Sequence, residues 1–469
     1  MMKDEKLNTR LFYQRKIKMR KICAMIFFLL LSFSFAEAQT VKHVILISID
    51  GLHPDMYLDK SWPSNNLRQL AKEGTYADHM LSVFPSYTYP SHTAMLTGAL
   101  PARSGIYFNQ PKNNSTADWN WFTKAIKVPT LWQVLKQAGL TTAAVEWPVS
   151  VSSDITYNIP EIWSNKYPDR ITVAHQYATP GLIAEIEQNA TGKLDSNNMS
   201  EDYFAMDANS ARMAAYIFTK YHPALLAVHF AEVDGFEHEY GRDADSVRLA
   251  LEAADRCVGD VVEAVRRSKQ ADSTVILIVG DHGFATFHTV FRPNRLIKSV
   301  PARFIASGGS AFLYKTSQPA DIAGIIKAVT DSLNRLPEDK RNLFRIVDRN
   351  ELDHMGADSS ALLALAAVPG VVFSGSMAAA PATNNGPGTT IQNSPLDGVF
   401  ISGFGGHHGY DPNLNEMYTG FIAWGAGINK GGHIKELRVT DIAPLIAQLL
   451  GIEFKTPDGK FVPGIISNK

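Results

Sequence analysis

Cysteine is almost absent from this sequence of 469 residues, which contains only Cys23 and Cys257. Cys23 lies in an N-terminal segment that we expect to be removed, so the mature chain would keep Cys257 alone. A single cysteine excludes an intrachain disulfide, and such a residue is most often a small buried hydrophobic side chain. Hydrophobic residues make up 45% of the chain, so a packed core rather than cross-links must hold the fold.

A block of basic residues is missing from the chain after residue 38. The net charge of −1 hides an uneven distribution, because Lys and Arg are concentrated at the N-terminus and the remainder is acidic overall. A protein built around a nucleic acid needs a Lys/Arg-rich patch or stripe. The sequence therefore argues against a nucleic-acid scaffold as partner.

A long apolar run is also missing, since the one near the N-terminus covers only Ile22–Phe35. Basic residues precede this run, and Ala36-Glu37-Ala38 follows it as an A-x-A cleavage site. A membrane-spanning helix needs roughly 20 apolar residues. We therefore predict that residues 1–38 are a signal peptide and that the protein is exported, periplasmic or secreted, without a stable membrane partner. A retained anchor and a true start at Met19 are the alternatives.

Five short apolar runs do not alternate with polar residues, which indicates strands buried on both faces. They are Val44–Ile49, Ala143–Trp147, Leu225–Phe230, Val275–Val279 and Tyr418–Trp424. Helical patterns lie between them, at Asn65–Gly74, Thr130–Gly139, Asp207–Tyr221 and Asp245–Lys269. This alternation predicts an α/β fold with a mainly parallel central sheet and helices on both faces. Residues 284–405 break the rhythm and are predicted to form a small inserted cap within one catalytic domain, residues 39–469.

Carboxylate and imidazole side chains follow the predicted strands. They are Asp50 after the first, Asp234 and His238 after the third, Asp281 and His282 after the fourth, and His407 and His408 in a later loop. Open α/β sheets bind ligands outside the carboxyl ends of their strands. Asp and His without Cys suit zinc in a hydrolytic site. Each residue alone is more often part of a turn or a solvated surface, but the strand exits together favour a metal site.

The segment Phe84-Pro85-Ser86-Tyr87-Thr88-Tyr89-Pro90-Ser91-His92 supplies a candidate nucleophile. Pro90 favours the first turn of a helix, because its missing N–H would have no partner there. Thr88 would then lie where backbone N–H groups attract a phosphate or sulfate group. A threonine hydroxyl is a weak nucleophile unless a metal activates it. The alternative is that Thr88 only caps the helix.

These motifs, in this order, resemble the alkaline phosphatase superfamily and, within it, the type I nucleotide pyrophosphatase/phosphodiesterase family. The residues that carry the resemblance are Ile49-Asp50-Gly51, the segment around Thr88, Trp147-Pro148, Asp234-x3-His238, Asp281-His282-Gly283 and His408-Gly409-Tyr410. The resemblance covers roughly residues 42–455. It implies an alkaline-phosphatase-like three-layer sandwich and a zinc-dependent enzyme that hydrolyses phosphodiester or phosphoanhydride bonds through a phospho-threonine intermediate.

The resemblance also implies roles for individual residues. One zinc would be held by Asp50, Thr88, Asp281 and His282, and a second by Asp234, His238 and His408, with His407 a weaker candidate. Asn109 and the amide after Thr88 would bind the phosphoryl oxygens. The substrate would be a small phosphodiester or a nucleotide, whose base could stack on Tyr89 or Tyr157.

The sequence departs from its relatives in ways that leave other functions open. Ser91 stands where the family usually has Asn, and Thr88 and His92 stand where sulfatases need Cys or Ser and Arg. Monoesterases bind the extra phosphate charge with an Arg, and Arg103 is the nearest one after Thr88. A phosphonoacetate hydrolase, a phosphomonoesterase or sulfatase of the same superfamily, and a non-catalytic exported binding module remain the alternatives.

Overall fold

The computed structural model describes residues 41–112, 118–164, 169–317, 321–377, 396 and 398–467. The predicted signal peptide, residues 1–38, lies outside the described residues. Among the residues that are described, no helix is long and apolar enough to cross a lipid bilayer. Cys257 is a free, buried thiol.

The strands follow one another along the chain as β1 to β15. Their bounds are β1 His43–Ile49, β2 Thr75–Leu81, β3 Thr142–Trp147, β4 Tyr157–Pro160, β5 Leu225–Phe230, β6 Thr274–Val279, β7 Ala285–Phe291, β8 Ala302–Ser307, β9 Ser310–Lys315, β10 Phe344–Val347, β11 Leu363–Ala367, β12 Gly370–Phe373, β13 Phe400–His407, β14 Phe421–Gly425 and β15 Gly432–Arg438.

The α-helices lie between these strands. Their bounds are Asp55–Leu58, Asn65–Glu73, Thr88–Thr97, Pro101–Ser104, Leu131–Gln137, Arg170–Tyr177, Leu182–Ile186, Tyr203–Tyr221, Glu232–Tyr240, Asp245–Arg267, Ile322–Asn334, Glu338–Arg341, Arg349–His354 and Ile442–Leu449.

The central sheet has eight strands in the order β15-β2-β14-β6-β1-β5-β3-β4. β1 pairs in parallel with both β5 and β6, and β3 pairs in parallel with β4 and β5. Only β14 runs against its neighbours, β2 and β6. The predicted mainly parallel α/β fold is therefore confirmed.

Alternate residues of the central strands enter two separate cores, which explains why these strands are apolar throughout. In β1, Ile45 and Ile47 pack on one side of the sheet, and Val44 and Leu46 pack on the other. Helices Asn65–Glu73, Tyr203–Tyr221 and Asp245–Arg267 contribute to the first core. Helices Thr88–Thr97, Leu131–Gln137 and Ile442–Leu449 contribute to the second. A sheet covered on both faces has no reason to alternate polar and apolar residues.

The predicted strands and helices are all present, with small shifts at their ends. The last predicted strand, Tyr418–Trp424, begins later, at Phe421, and ends at Gly425. The predicted helix Asp207–Tyr221 begins earlier, at Tyr203, because the Asp202 carboxylate accepts a hydrogen bond from Ala205 N and caps it.

The chain between residues 284 and 407 forms two smaller sheets. One has the order β10-β11-β9-β8 and the other β12-β7-β13. A third hydrophobic core joins these strands to helix Ile322–Asn334. Residues 378–395 of this stretch lie outside the described residues. The assignment of 284–405 as an inserted cap stays a prediction.

Candidate active site

The strand order places the candidate ligands together. β6, β1 and β5 are adjacent and parallel, so their carboxyl ends meet at one edge of the sheet. Asp50 follows β1 directly, Asp281 follows β6 after one glycine, and Asp234 lies in the first turn of helix Glu232–Tyr240, just after β5. The chain thereby delivers three distant carboxylates to one place.

Asp50, Asp281 and His282 form a buried group of potential metal ligands. The Nε2 atom of His282 lies 3.2 Å from Oδ1 of Asp50 and 3.2 Å from Oδ2 of Asp281. Both of these carboxylate oxygens are buried and have no hydrogen-bond partner. The other oxygen of each carboxylate is occupied, by Gly51 N in Asp281 and by His229 Nε2 in Asp50. Three potential ligand atoms thus converge, and neither of the two carboxylate oxygens has a hydrogen-bond partner, which is the arrangement that a cation would satisfy.

Thr88 is the first residue of helix Thr88–Thr97, whose N-cap is Tyr87. No side chain caps this helix, so the alternative that Thr88 serves as a cap is wrong. Its hydroxyl instead lies 3.3 Å from His282 Nε2. The hydroxyl therefore adjoins the atom on which Asp50 and Asp281 converge.

A second set of potential ligands adjoins the first. Oδ1 of Asp234 lies 3.5 Å from His238 Nε2 and 3.8 Å from His408 Nε2. The other ring nitrogen, Nδ1, of each histidine faces a backbone carbonyl, of Gly406 for His238 and of Ser86 for His408. Such carbonyls fix the orientation of each ring and leave Nε2 as the nitrogen that could bind a metal. His407 also belongs to a potential ligand group, with His238 and His408.

Burial dominates the protonation of these groups. It raises the pKa of Asp50 well above its usual value, and nearby Asp234 and Asp281 add to the effect. Burial likewise raises the pKa of Asp281 to about 7. For the imidazoles of His282 and His408, burial lowers the pKa well below its usual value, which leaves them neutral. Neutral imidazole is the metal-binding form of histidine, and a bound cation restores the charge of buried carboxylates.

Asn109 contacts the residue after Thr88. Its side-chain oxygen Oδ1 accepts a hydrogen bond of 2.9 Å from the backbone N–H of Tyr89. Because Oδ1 takes part in this contact, Nδ2 is the group of the Asn109 side chain that can donate to a substrate. It also occupies the amide after Thr88, so the structure does not support the prediction that this N–H binds the substrate.

A cleft of about 560 Å³ opens beside the histidines. The residues that line it are Tyr87, Phe108, Asn109, Gln110, Pro111, Lys112, Trp119, His238, Arg303, Phe304, Ile305, Ala306, Ser307, Gly375, His407 and His408. Part of the lining therefore comes from the predicted cap.

The two candidate stacking residues lie elsewhere. Tyr89 is 0% exposed and packs edge-on against Trp119. Tyr157 stacks on Tyr221. Neither lines the cleft, so their predicted role in stacking a base has no support from their positions. The aromatic rings that do line it are those of Tyr87, Phe108, Trp119 and Phe304.

Sequence reasoning missed the residues behind the ligands. His229 in β5 joins Asp50 to Glu161, with Nε2 3.2 Å from Asp50 Oδ2 and Nδ1 3.3 Å from Glu161 Oε1. A histidine within the otherwise apolar strand Leu225–Phe230 was the available signal. His92 was missed too: its Nδ1 atom hydrogen-bonds the Thr88 carbonyl at 2.8 Å, and its ring meets that of His229.

A mainly parallel sheet with helices on both faces and buried carboxylates and histidines at its carboxyl edge defines a hydrolase of the alkaline-phosphatase-like class. The profile of the type I phosphodiesterase/nucleotide pyrophosphatase family matches residues 44–411. That match covers more than half of the chain, and the chain belongs to this family. It is therefore a hydrolase of phosphodiester bonds.

Individual relatives agree with this membership. The chain is 23% identical over 430 residues to a bis(5′-adenosyl)-triphosphatase of Mus musculus, with 88% of this chain and 78% of the relative covered. It is 22% identical to ectonucleotide pyrophosphatase/phosphodiesterase family member 7 of Rattus norvegicus, with 92% and 88% covered.

Solved structures share the fold. Human ectonucleotide pyrophosphatase/phosphodiesterase 5 superposes with a TM-score of 0.63 at 18% identity, covering 89% of this chain and 97% of that one. An inactive threonine-to-alanine variant of the murine protein, in complex with AMP, gives a TM-score of 0.62 at 17% identity, covering 90% of this chain and 97% of the other.

Proposed function

We propose that this chain is an exported, zinc-dependent phosphodiesterase or nucleotide pyrophosphatase in which Thr88 is the nucleophile. The observation that carries the proposal is the convergence of Thr88 Oγ1, Asp50 Oδ1 and Asp281 Oδ2 on His282 Nε2, at 3.2 to 3.3 Å. A hydroxyl beside a buried ligand group is the arrangement in which a metal-activated alcohol acts.

The ligand chemistry supports zinc. The converging atoms are carboxylate oxygens and imidazole nitrogens, which zinc accepts in hydrolytic sites. We assign Asp50, Thr88, Asp281 and His282 to one ion and Asp234, His238 and His408 to the other. Two such ions, when bound by these residues, would supply Lewis-acid stabilisation of the charge that develops on the attacking and leaving oxygens.

The protein's own residues account for the rest of the reaction. The Thr88 hydroxyl loses its proton to solvent and forms a bond to phosphorus as the bond to the leaving oxygen breaks, and the leaving oxygen takes up a proton from water. A water molecule then hydrolyses the phospho-threonine, which restores the Thr88 hydroxyl. Asn109, held by Tyr89 N, presents its Nδ2 group to a non-bridging oxygen. The helix that begins at Thr88 adds the positive end of its dipole.

The charges of the cleft favour an anionic substrate. None of the described residues that line the cleft is an aspartate or a glutamate, and two cations, Lys112 and Arg303, are present. Asp358 neutralises Lys112, with 2.6 Å between Nζ and Oδ2. Arg303 is exposed, and no ion pair to it is found among the described residues. A nucleotide or another phosphate-bearing molecule fits this lining, and one structural relative was solved with AMP.

A substrate comparison tests the proposal. Purified mature protein is assayed on bis-nitrophenyl phosphate, nitrophenyl phosphate, nitrophenyl sulfate and phosphonoacetate, before and after chelation and with zinc restored. We expect the diester to be the best substrate, about two zinc ions per chain, and full loss of activity on chelation. Full activity in a metal-free sample would contradict the zinc site, and a best rate on phosphonoacetate or the sulfate ester would identify the rival hydrolases.

The proposal that the protein is exported rests on the sequence alone, because residues 1–38 lie outside the described structure. Expression in a bacterial host with an intact secretion system, followed by mass spectrometry of the purified protein, tests it. A mature N-terminus at Gln39 is expected from cleavage after Ala38. A retained N-terminal segment in the membrane fraction would show an anchor instead.

A further inference from the structure

The two carboxylates that face His282 are held in different ways. In Asp281, Oδ1 accepts a hydrogen bond from the backbone of Gly51, at 3.2 Å. In Asp50, Oδ2 is held by a side chain, His229 Nε2, at 3.2 Å. A backbone donor persists in almost any variant, but a side-chain donor depends on one residue of the sequence. The orientation of Asp50 therefore rests on His229.

His229 is itself held from its other side. Its Nδ1 atom lies 3.3 Å from Oε1 of Glu161, in the loop after β4. His229 is 3% exposed and Glu161 is 5% exposed, so water does not compete for either contact. Oε2 of Glu161 has no hydrogen-bond partner and borders a narrow cavity that Glu146, Arg170 and Asp207 also line. Oε1 of Glu161 is therefore the oxygen that faces His229.

We propose that His229 is a positioning residue for the metal site: it holds Oδ2 of Asp50 so that Oδ1 alone is presented as a ligand, and Glu161 holds His229. This inference rests on the metal site of the proposed function. The physical reason is that a carboxylate free to rotate offers both oxygens to a cation. One oxygen presented by Asp50 preserves a coordination position for the Thr88 hydroxyl, which lies beside the same group.

Two substitutions of His229 separate this role from simple packing. In His229→Gln, the amide nitrogen replaces Nε2 and can still donate to Asp50. In His229→Asn, the shorter amide replaces Nδ1 and reaches only toward Glu161. Both variants put a polar amide in the same buried position. If His229 only filled space, the two variants would therefore bind zinc about equally well.

Zinc affinity is the readout, measured by competition with a chromogenic chelator. We expect His229→Ala and His229→Asn to weaken one of two zinc sites by ~10–100-fold, the usual effect of losing a group behind a ligand. His229→Gln should stay within a few-fold of the wild type. Glu161→Gln as a single substitution should weaken zinc binding. In the double variant with His229→Ala it should cause no further loss of zinc affinity, because Glu161 acts on Asp50 only through His229.

The control is His433→Ala, since His433 also pairs with a carboxylate, Asp78, at 2.6 Å, but lies on the exposed side of β15. It should leave zinc affinity unchanged. Thermal unfolding of the metal-free proteins shows whether each variant folds. If His229→Ala does not fold, the comparison of zinc affinity between His229→Gln and His229→Asn decides the outcome.

The outcomes distinguish this inference from the proposed function. If the wild type binds no zinc, the proposed zinc site is wrong. If the wild type binds zinc and the Ala, Asn and Gln variants bind it equally well, or the effect of Glu161→Gln persists unchanged in His229→Ala, the positioning role of His229 is overturned and the zinc site stands.

Discussion

At the scale of single residues, the candidate site depends on atoms that lack hydrogen-bond donors. Asp50 Oδ1 and Asp281 Oδ2 face His282 Nε2 in the protein interior, and each of these carboxylates has its second oxygen satisfied. Unpaired buried carboxylate oxygens are costly, so their presence in pairs indicates a missing positive partner. Thr88 Oγ1 lies 3.3 Å from Nε2 of the same imidazole, which makes it the candidate nucleophile.

Thr88→Ala should reduce kcat by at least about 10³-fold, because a covalent route has no other hydroxyl in this position. Thr88→Ser should retain part of the activity, since it keeps the oxygen. Steady-state kinetics on a phosphodiester test both. The matched control is Thr93→Ala on the same helix, where the buried hydroxyl has no hydrogen-bond partner. Wild-type kcat in Thr88→Ala would remove Thr88 from the mechanism.

The sequence predicted the candidate ligands better than the residues around them. Asp50, Asp234 and Asp281 were predictable because each comes just after an apolar strand, and parallel strands end at one edge. His229 and Glu161 were not, because their roles depend on which strands are neighbours, and β5 and β4 are placed only by the folded sheet. Tyr89 was predicted to stack on the substrate because it lies in the motif around Thr88. Its ring is buried and packs against Trp119 instead.

At the scale of elements, the turn after β1 fixes where Asp50 points. Gly51 has a φ of 78°, a left-handed conformation that favours glycine. A Cβ at this position would lie 2.2 Å from Glu237 Oε2, and Glu237 is fully buried. Any other residue at position 51 would therefore strain the backbone of this turn and would have to displace the Glu237 side chain.

Gly51→Ala should lower the free energy of unfolding by more than the ~1–2 kcal/mol that the left-handed backbone alone costs. Gly139→Ala provides the comparison, because its φ is 74° and nothing lies within 4 Å of the added Cβ. Urea unfolding of both variants measures the difference. Equal losses would mean that Glu237 moves aside freely, and that the turn is not tightly packed.

Glu146, near the end of β3, is expected to make the stability of the folded protein depend on pH. Burial, with Glu161 as the second cause, raises the pKa of Glu146 from 4.5 to about 8. Because the folded protein binds this proton more tightly than the unfolded chain, the stability contributed by Glu146 is complete below pH 4.5 and is lost as the pH rises to about 8.

Glu146→Gln removes this titration, so the variant should gain stability relative to the wild type between about pH 5 and about pH 8. Urea unfolding midpoints at both pH values, in one metal-containing buffer, measure the change. Glu263→Gln, which replaces an exposed glutamate of helix Asp245–Arg267, should show no such trend. A difference between Glu146→Gln and wild type that stays constant with pH would show that Glu146 is ionised throughout the range.

At the scale of the whole molecule, the parallel direction of β1, β5 and β6 followed from the alternation of strands and helices, but their order in the sheet did not. The antiparallel placement of β14 did not follow, because an apolar run carries no signal of direction. The cleft was also beyond the sequence, since Asn109, Arg303 and His408 meet there only through the arrangement of the central sheet with β8 and β13. Its charge is therefore a property of the fold.

The sequence around Thr88 predicts the preference between phosphate esters, because residues 84–100 contain no arginine. A monoester dianion carries one more charged oxygen than a diester, and a bidentate arginine is its usual partner. Arg103 was the candidate nearest to Thr88, but its side chain is 61% exposed and pairs with Asp458 at 3.0 Å. It does not line the cleft, and Asn109, which does, is neutral. We expect kcat/KM for bis-nitrophenyl phosphate to exceed that for nitrophenyl phosphate by at least roughly tenfold, or about 1.4 kcal/mol.

Two arginine variants separate the sources of this preference. Arg103→Ala should leave the ratio of the two kcat/KM values unchanged, because its partner Asp458 already holds it away from the cleft. Arg303→Gln removes a cation of the cleft that has no ion pair among the described residues. It should therefore lower kcat/KM for substrates whose leaving group is a phosphate, such as a dinucleoside polyphosphate, more than it lowers kcat/KM for bis-nitrophenyl phosphate. A monoester preference that disappears in Arg103→Ala would show that Arg103 leaves Asp458 and binds the phosphate, and that the enzyme is a monoesterase built on the same ligands.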